Sequence, residues 1–234
     1  MQPGYLIDSY RHEFETKIKS ADSKNVILEQ TYFYPNSGGQ LNDLGTIEAE
    51  DRETYNVVFV CKKDGNISHE VDKEGLKEGT KIKCRIDWKR RHLLMRYHTA
   101  SHILSQFLFK ETGALITGNQ LDLDKSRIDF SLENFDRDLM MSFESKVNEF
   151  LSKNTEVKTY FLPREKAMEL PTISKLAKGL SEDIKEIRIV EIKNFDMTAC
   201  GGTHVKNTSE IGKIKITKLD NKGGDRRRIY FVLI

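Results

Sequence analysis

Arg91-His92-Leu93-Leu94-Met95-Arg96-Tyr97-His98-Thr99-Ala100-Ser101-His102-Ile103-Leu104 is the stretch that decides how the chain is read. Leu93, Tyr97, Ala100, Leu104, Phe107 and Leu108 recur at helical spacing. This predicts a helix of about 22 residues, beginning near Trp88 and stopping at Thr112-Gly113. His98 and His102 are four apart, so their imidazoles leave one face of that helix across a single turn. Such a pair is half of a metal site.

Upstream of Trp88 the pattern is different. Short strand-like runs at 14–18, 26–31, 45–50, 55–62 and 81–86 are divided by turn residues such as Asp64-Gly65-Asn66 and Glu78-Gly79. They predict a small antiparallel β-barrel, a form that removes its own edges by closure. The stretch Phe33-Tyr34-Pro35-Asn36-Ser37-Gly38-Gly39-Gln40-Leu41-Asn42-Asp43-Leu44-Gly45 supplies a glycine-rich loop, whose plainest reading is a tight hairpin turn. Cys61 and Cys84 lie in strand-like runs and are expected to be buried as small hydrophobes.

Downstream, strands are expected at 114–122, 127–132, 157–162, 187–192, 212–219 and 228–233. Asp136 is expected to cap a helix whose Met140, Phe143, Val147, Phe150 and Leu151 form an apolar stripe. A proline-led helix opens at Pro163-Arg164-Glu165. The fold class is therefore α+β: a small N-terminal antiparallel β-barrel at 1–87, then at 88–234 a domain with helices packed on an antiparallel sheet.

Composition bounds the function. With 38% hydrophobic residues among 234, the chain can bury two modest cores. No run reaches the ~18 apolar residues of a membrane span, and the first ten residues lack a secretory signal, so a cytoplasmic protein with reduced thiols is expected. Net charge is only +2, so any nucleic-acid surface must be local. Basic residues gather at Lys89-Arg90-Arg91, at Lys213, Lys215 and Lys218, and at Arg226-Arg227-Arg228. Their plain reading is a solvated face.

The distant partner of the histidine pair is Cys200-Gly201-Gly202-Thr203-His204. Three of the six histidines and one of the three cysteines fall into these two pentads. Imidazole nitrogen with thiolate sulfur is the donor set Zn²⁺ prefers. A zinc peptidase would carry Glu directly after the first histidine, where this chain has Thr99. The nucleobase-deaminase signature is absent, and no two cysteines are close enough for a zinc ribbon.

The helix 91–104 resembles the first zinc motif of alanyl-tRNA synthetase editing domains, and Cys200 to Val205 resembles the second. The segment 33–45 is similar to the glycine motif of the same family, with Ser37 where many relatives have a third glycine. Gly38 and Gly39 retain the freedom to adopt positive φ. The resemblance, in one order from about residue 29 to residue 230, is to free-standing alanyl-tRNA editing proteins of the medium, two-domain AlaX type. It implies one Zn²⁺ on His98, His102, Cys200 and His204, and a trans-editing hydrolase that deacylates seryl-tRNA(Ala), with glycyl-tRNA(Ala) as a further substrate. It also implies a pocket segment at Thr117, Asn119 and Gln120, selectivity shaped by Ser37, Gly38 and Gly39, and tRNA-backbone contacts from Arg226, Arg227 and Arg228. The sequence names no general base. The rival reading is a noncatalytic RNA-binding protein with a structural zinc, because four protein ligands would complete a tetrahedron. The two are reconciled if His204, on its glycine-rich loop, is a weak ligand, or if the ion expands to five-coordinate.

Overall fold

The computed structural model describes residues 2–134, 136–170, 173 and 184–234. The chain divides into two compact units, Met1–Leu94 and Met95–Ile234. In the first, a single turn of helix, α1 (Gly4–Ile7), precedes strands β1 (Glu13–Asp22), β2 (Asn25–Leu28), β3 (Gly45–Ala49), β4 (Thr54–Lys63), β5 (Asn66–Val71) and β6 (Lys81–Ile86). These close into a six-stranded antiparallel barrel in the order β1-β2-β5-β4-β3-β6. Inward residues alternate along each strand, as Ile82, Cys84 and Ile86 do on β6.

Two features differ from the sequence reading. Strand β5 was not expected, because Asn-Ile-Ser-His-Glu-Val lacks apolar alternation. Its buried positions are Ser68, His69 and Val71, two of them polar. Cys84 is buried as expected, whereas Cys61 is only half-buried.

His69 explains how a polar residue fits a barrel core. It is fully buried, with Nδ1 3.0 Å from the Val26 carbonyl and Nε2 2.8 Å from Thr31 Oγ1. The Thr31 hydroxyl also accepts from the Phe33 N–H, so its own hydrogen goes to Nε2 and the Nδ1 hydrogen goes to Val26. The neutral ring is fully satisfied. Burial pushes its pKa down to about 4.

The loop 31–43 is held by a second buried polar group. Arg91, which the sequence placed in a basic cluster, has no exposure and pairs with equally buried Asp43. Its Nε lies 2.9 Å from Asp43 Oδ1, its Nη1 donates to the Ser9 carbonyl at 2.8 Å and its Nη2 to the Tyr32 carbonyl at 2.6 Å. The Tyr34 N–H completes the carboxylate at 2.6 Å. The glycine motif itself is a two-residue turn: Ser37 and Gln40 bridge each other's backbone, and Gly38 and Gly39 have φ of 56° and 79°. Both central φ angles are positive, as a type I′ turn requires. Ser37 is outside the left-handed region, so no third glycine is needed there.

The long helix α2 (Trp88–Thr112) starts in the first unit and continues into the second. There follow β7 (Leu115–Gln120), β8 (Ser126–Ser131), α3 (Arg137–Leu151), β9 (Val157–Pro163), α4 (Arg164–Met168), β10 (Glu186–Ile192), β11 (Asp196–Ala199), β12 (Ile214–Asn221) and β13 (Arg226–Leu233). They make a four-stranded antiparallel sheet, β12-β13-β8-β7, and a three-stranded one, β11-β10-β9. Asp136 caps α3 by accepting from the Leu139 N–H. That helix locks onto β12 through Asn148, which bonds both the N–H and the carbonyl of Ile214. Strand β11 was not expected; it is only four residues long. No helix among the described residues is long and apolar enough to cross a membrane.

His69 yields a pH prediction. Its folded pKa is depressed below the ordinary 6.5, so its contribution to stability is complete above that value and is lost as pH falls toward 4. The loss is on the order of 3 kcal/mol. Urea midpoints at pH 7 and pH 4.5 should fall further for wild type than for His69→Gln, and an NMR titration of the wild-type ring near pH 6.5 would refute the assignment.

Candidate metal centre

Helix α2 is far more enclosed than a one-faced stripe implies. From Tyr97 to Gln106 every residue is buried except His102, which is half-buried. The helix is anchored beside the histidines: Arg96 Nη2 donates to the Ile211 carbonyl at 2.8 Å, and the Tyr97 hydroxyl to the Asp124 carbonyl at 3.1 Å. His98 and His102 accordingly project from a fixed rod, with ring centroids 5.2 Å apart.

The second half of the centre comes from a hairpin. Strands β10 and β11 pair from Ile189↔Ala199 to Ile192↔Asp196, and Cys200 follows directly on β11. Buried Arg188 shapes the loop beyond: its Nη1 donates to the carbonyls of Cys200 at 2.8 Å and Gly202 at 2.9 Å. The Gly202 N–H points at Cys200 Sγ, 3.3 Å away. His204 then turns back so that its ring centroid lies 4.4 Å from that of His98 and 4.7 Å from that of His102.

One donor atom each from His98, His102, Cys200 and His204 falls within 4.8 Å of the others, a group that can hold a metal ion. Cys200 Sγ is 3.4 Å from His98 Nε2 and 3.4 Å from His204 Nε2. Burial drives the pKa of His98 well below 6.5, with His102 and Arg188 adding to the effect, and it does the same to His204. Both rings are therefore neutral, the form in which imidazole ligates. Burial raises the Cys200 thiol, opposed by the Gly202 N–H and Arg188. A cation among these groups would reverse that balance and favour the thiolate. His204 is held within the fold: it is 3% exposed, and its Nδ1 lies 3.1 Å from Thr99 Oγ1.

The other residues singled out in the sequence are not all brought together. On β7, Thr117 sits exposed at a bulge between Ile116 and Gly118. Asn119 pairs with Ile128, whose side chain is buried, while Gln120 pairs with Arg127 and accepts from its Nε at 3.2 Å. Directly paired residues share a face, so Asn119 and Gln120 face opposite sides of the sheet. The arginine run on β13 divides in the same way. Arg226 is exposed, but Arg227 is 4% exposed and donates to Asn221 Oδ1 and to the carbonyls of Gly224 and Glu133. Arg228 is half-buried and forks onto both oxygens of Asp129. Three consecutive residues on a strand cannot form one patch.

Residues the sequence did not single out include Arg188, Thr99 and Gly202. A β-carbon on Gly202 would stand 2.0 Å from His98 Cε1, whereas one on exposed Gly201 would meet nothing within 4 Å. The two glycines of the loop are thus unequal. Gly202→Ala is expected to fold but to push the His98 ring aside and weaken metal retention by about tenfold or more, with Gly201→Ala unchanged. Metal titration of both variants checks this; equal retention would show that the ring yields without cost.

Comparison with known proteins identifies the family. Residues 187–230 match the family model described as the threonyl and alanyl tRNA synthetase second additional domain, and residues 6–90 match tRNA synthetases class II (A). The chain is 50% identical over 237 residues to the alanyl-tRNA editing protein AlaX-M of Methanosarcina barkeri, covering 98% of each chain. It is 42% identical to the AlaX-M of Saccharolobus solfataricus, covering 98% of this chain and 97% of that one. It is also 34% identical to the alanine–tRNA ligase of Sulfurisphaera tokodaii, across 92% of this chain but only 24% of the ligase. At that identity and near-complete coverage, a protein with this barrel and this histidine and cysteine cluster belongs to the AlaX-M family of alanyl-tRNA editing proteins.

Proposed function

We propose that the chain is a trans-editing hydrolase that removes serine, and glycine as a second substrate, from mischarged tRNA(Ala), using one Zn²⁺ held by His98, His102, Cys200 and His204. The observation that carries this reading is the convergence of those four donors within 4.8 Å in a chain whose relatives are alanyl-tRNA editing proteins. Zinc suits the donor set, and the 3.4 Å sulfur–nitrogen separations compare with about 3.6 Å across a tetrahedral zinc. The need is physical: an aminoacylation pocket rejects a substrate that merely adds a hydroxyl by only about 10². A second, hydrolytic site restores fidelity.

When bound, the ion supplies Lewis-acid polarisation of the ester carbonyl or a handle on the amino acid. His98 and His204 would hold the ion from the buried side of the cluster, and His102 and Cys200 from its partly exposed side, the side open to the aminoacyl end. Water adds to the ester carbon, the bond to the ribose oxygen breaks, and that oxygen takes up the proton. The Thr117 hydroxyl, able to donate and accept, meets the seryl hydroxyl. An alanyl group leaves that contact unmade, at about 1–3 kcal/mol for each lost hydrogen bond; a glycyl group also lacks the hydroxyl, so its acceptance rests on a separate cause, a pocket wall that fits a hydrogen but not a lone methyl. In this proposal residues 88–234 carry the chemistry, residues 1–87 shape selectivity through Ser37, Gly38 and Gly39, and the protein works in the cytoplasm. The rival, an RNA-binding protein with a structural zinc, is favoured by one observation: four protein donors already fill a tetrahedron.

Single-turnover deacylation separates the readings. Seryl-tRNA(Ala) should be cleaved about 10⁴-fold faster than alanyl-tRNA(Ala), and Thr117→Val should shrink that ratio. Equal rates on the two substrates would end the editing proposal, and no hydrolysis by metal-loaded protein would favour the structural reading. A second prediction concerns tRNA affinity. Exposed Arg226 and half-buried Arg228 contact phosphates, so replacing each by Ala should lower the salt slope of binding by about 0.7 to 0.9. Buried Arg227→Ala should instead lower the melting temperature, and an unchanged slope for the Arg226/Arg228 double variant would return both to a solvated face.

A further inference from the structure

We propose that Thr99 is a positioning residue that fixes His204 as an Nε2 metal ligand, an inference that rests on the metal-centre reading above. Thr99 is completely buried and lies between the two helical histidines in sequence. Its Oγ1 has three polar neighbours: the Met95 carbonyl at 3.0 Å, His204 Nδ1 at 3.1 Å and the Val205 N–H at 3.2 Å. A hydroxyl offers one hydrogen and two lone pairs. The Val205 N–H can only donate, so it takes one lone pair. Two arrangements of the rest are then open.

If the hydroxyl donates to Nδ1, the neutral ring carries its hydrogen on Nε2, which faces Cys200 Sγ at 3.4 Å and lies where the donors converge. That tautomer places a hydrogen where a cation must sit. If the hydroxyl donates to the Met95 carbonyl, its second lone pair accepts from Nδ1–H and Nε2 is left bare. Only this arrangement serves a ligand, and it leaves no hydrogen or lone pair of Thr99 unused. The same oxygen also grips the loop at two successive residues, His204 and Val205, and so ties the Gly-Gly-Thr loop to α2. Metal-bound histidines owe their orientation to such a partner on the other ring nitrogen. A zinc peptidase has a glutamate at this position, turned to chemistry. Here a short hydroxyl is turned instead to the placement of a ligand from a distant loop.

The test uses the full chain. Zn²⁺ affinity is measured by competition with a chromophoric chelator, and Co²⁺ absorption reports the ligand field, for wild type, Thr99→Ser and Thr99→Val. Thr99→Val keeps the shape but removes the hydroxyl, and should bind Zn²⁺ about 10- to 100-fold more weakly with an altered Co²⁺ spectrum. Thr99→Ser should restore both. A merely structural threonine would lower the melting temperature of metal-free Thr99→Val without moving affinity or spectrum, and that result would overturn the proposal. Should Thr99→Val fail to fold, ¹⁵N NMR of the zinc-loaded wild type decides: His204 protonated on Nδ1 supports the proposal, and protonation on Nε2 overturns it. Wild type that takes up neither metal would remove the metal reading and this inference together. Wild type that binds metal no better than folded Thr99→Val removes the inference alone.

Discussion

Three imidazoles and a thiol confined within 4.8 Å, two of the rings almost without solvent, set the electrostatic constraint that the second unit answers. A proton on any of these rings would place a charge in a poorly solvated space, so burial keeps His98 and His204 neutral. The surroundings meet the remaining hydrogen-bonding demands. Arg188 gathers the loop carbonyls, the Gly202 N–H is aimed at sulfur, and Thr99 holds the far nitrogen of His204. Each of these contacts ties helix, hairpin or loop to the same cluster of donors. Binding a cation there would pair the thiolate and engage the ring nitrogens, and the four donors form a group that can hold a metal ion.

The first unit solves a related problem with fixed partners. Arg91 and Asp43 are both fully buried, and their donors and acceptors are met by each other, by the carbonyls of Ser9 and Tyr32 and by the Tyr34 N–H. Removing one member of such a pair strands the other and costs about 3–5 kcal/mol. The pair therefore defines the path of residues 31–43 relative to the first turn of α2. The type I′ turn at Gly38 and Gly39 is presented on a backbone that is held from within.

The sheet that follows α2 illustrates how strand geometry sorts a run of like residues. On β13, Arg227 turns inward and is consumed by the protein's own carbonyls, whereas Arg226 and Arg228 turn outward. Outward, Lys125 and Lys218 lie 5.1 Å and 5.5 Å from the centroid of the Tyr230 ring, and Arg127 joins Arg228 on Asp129. These cations share that face with Asp129, which pairs with Arg127 and Arg228, and with Asp220, which pairs with Lys218 and Lys222.

Much of this was legible in the sequence because it depends on local periodicity. The long helix, the α3 stripe with its Asp136 cap, the turn at Gly38 and Gly39, and strand β6 follow from spacings of 3.6 and 2 and from the conformational freedom of glycine. The four donors that the fold brings together could be picked out because imidazoles four apart and a Cys-x₃-His are chemical signals as well as positional ones. Strands β5 and β11 were not legible: one buries Ser68 and His69, and the other is too short to show alternation. The sequence also could not say that Arg91 and Arg227 are buried, that Gly202 and not Gly201 is sterically required, or that Thr99 meets His204 from 105 residues away. Those are long-range facts. Whether a polar group is a solvated surface or a satisfied interior group depends on which distant backbone atoms the fold brings within hydrogen-bonding distance of it, and only the tertiary structure decides that.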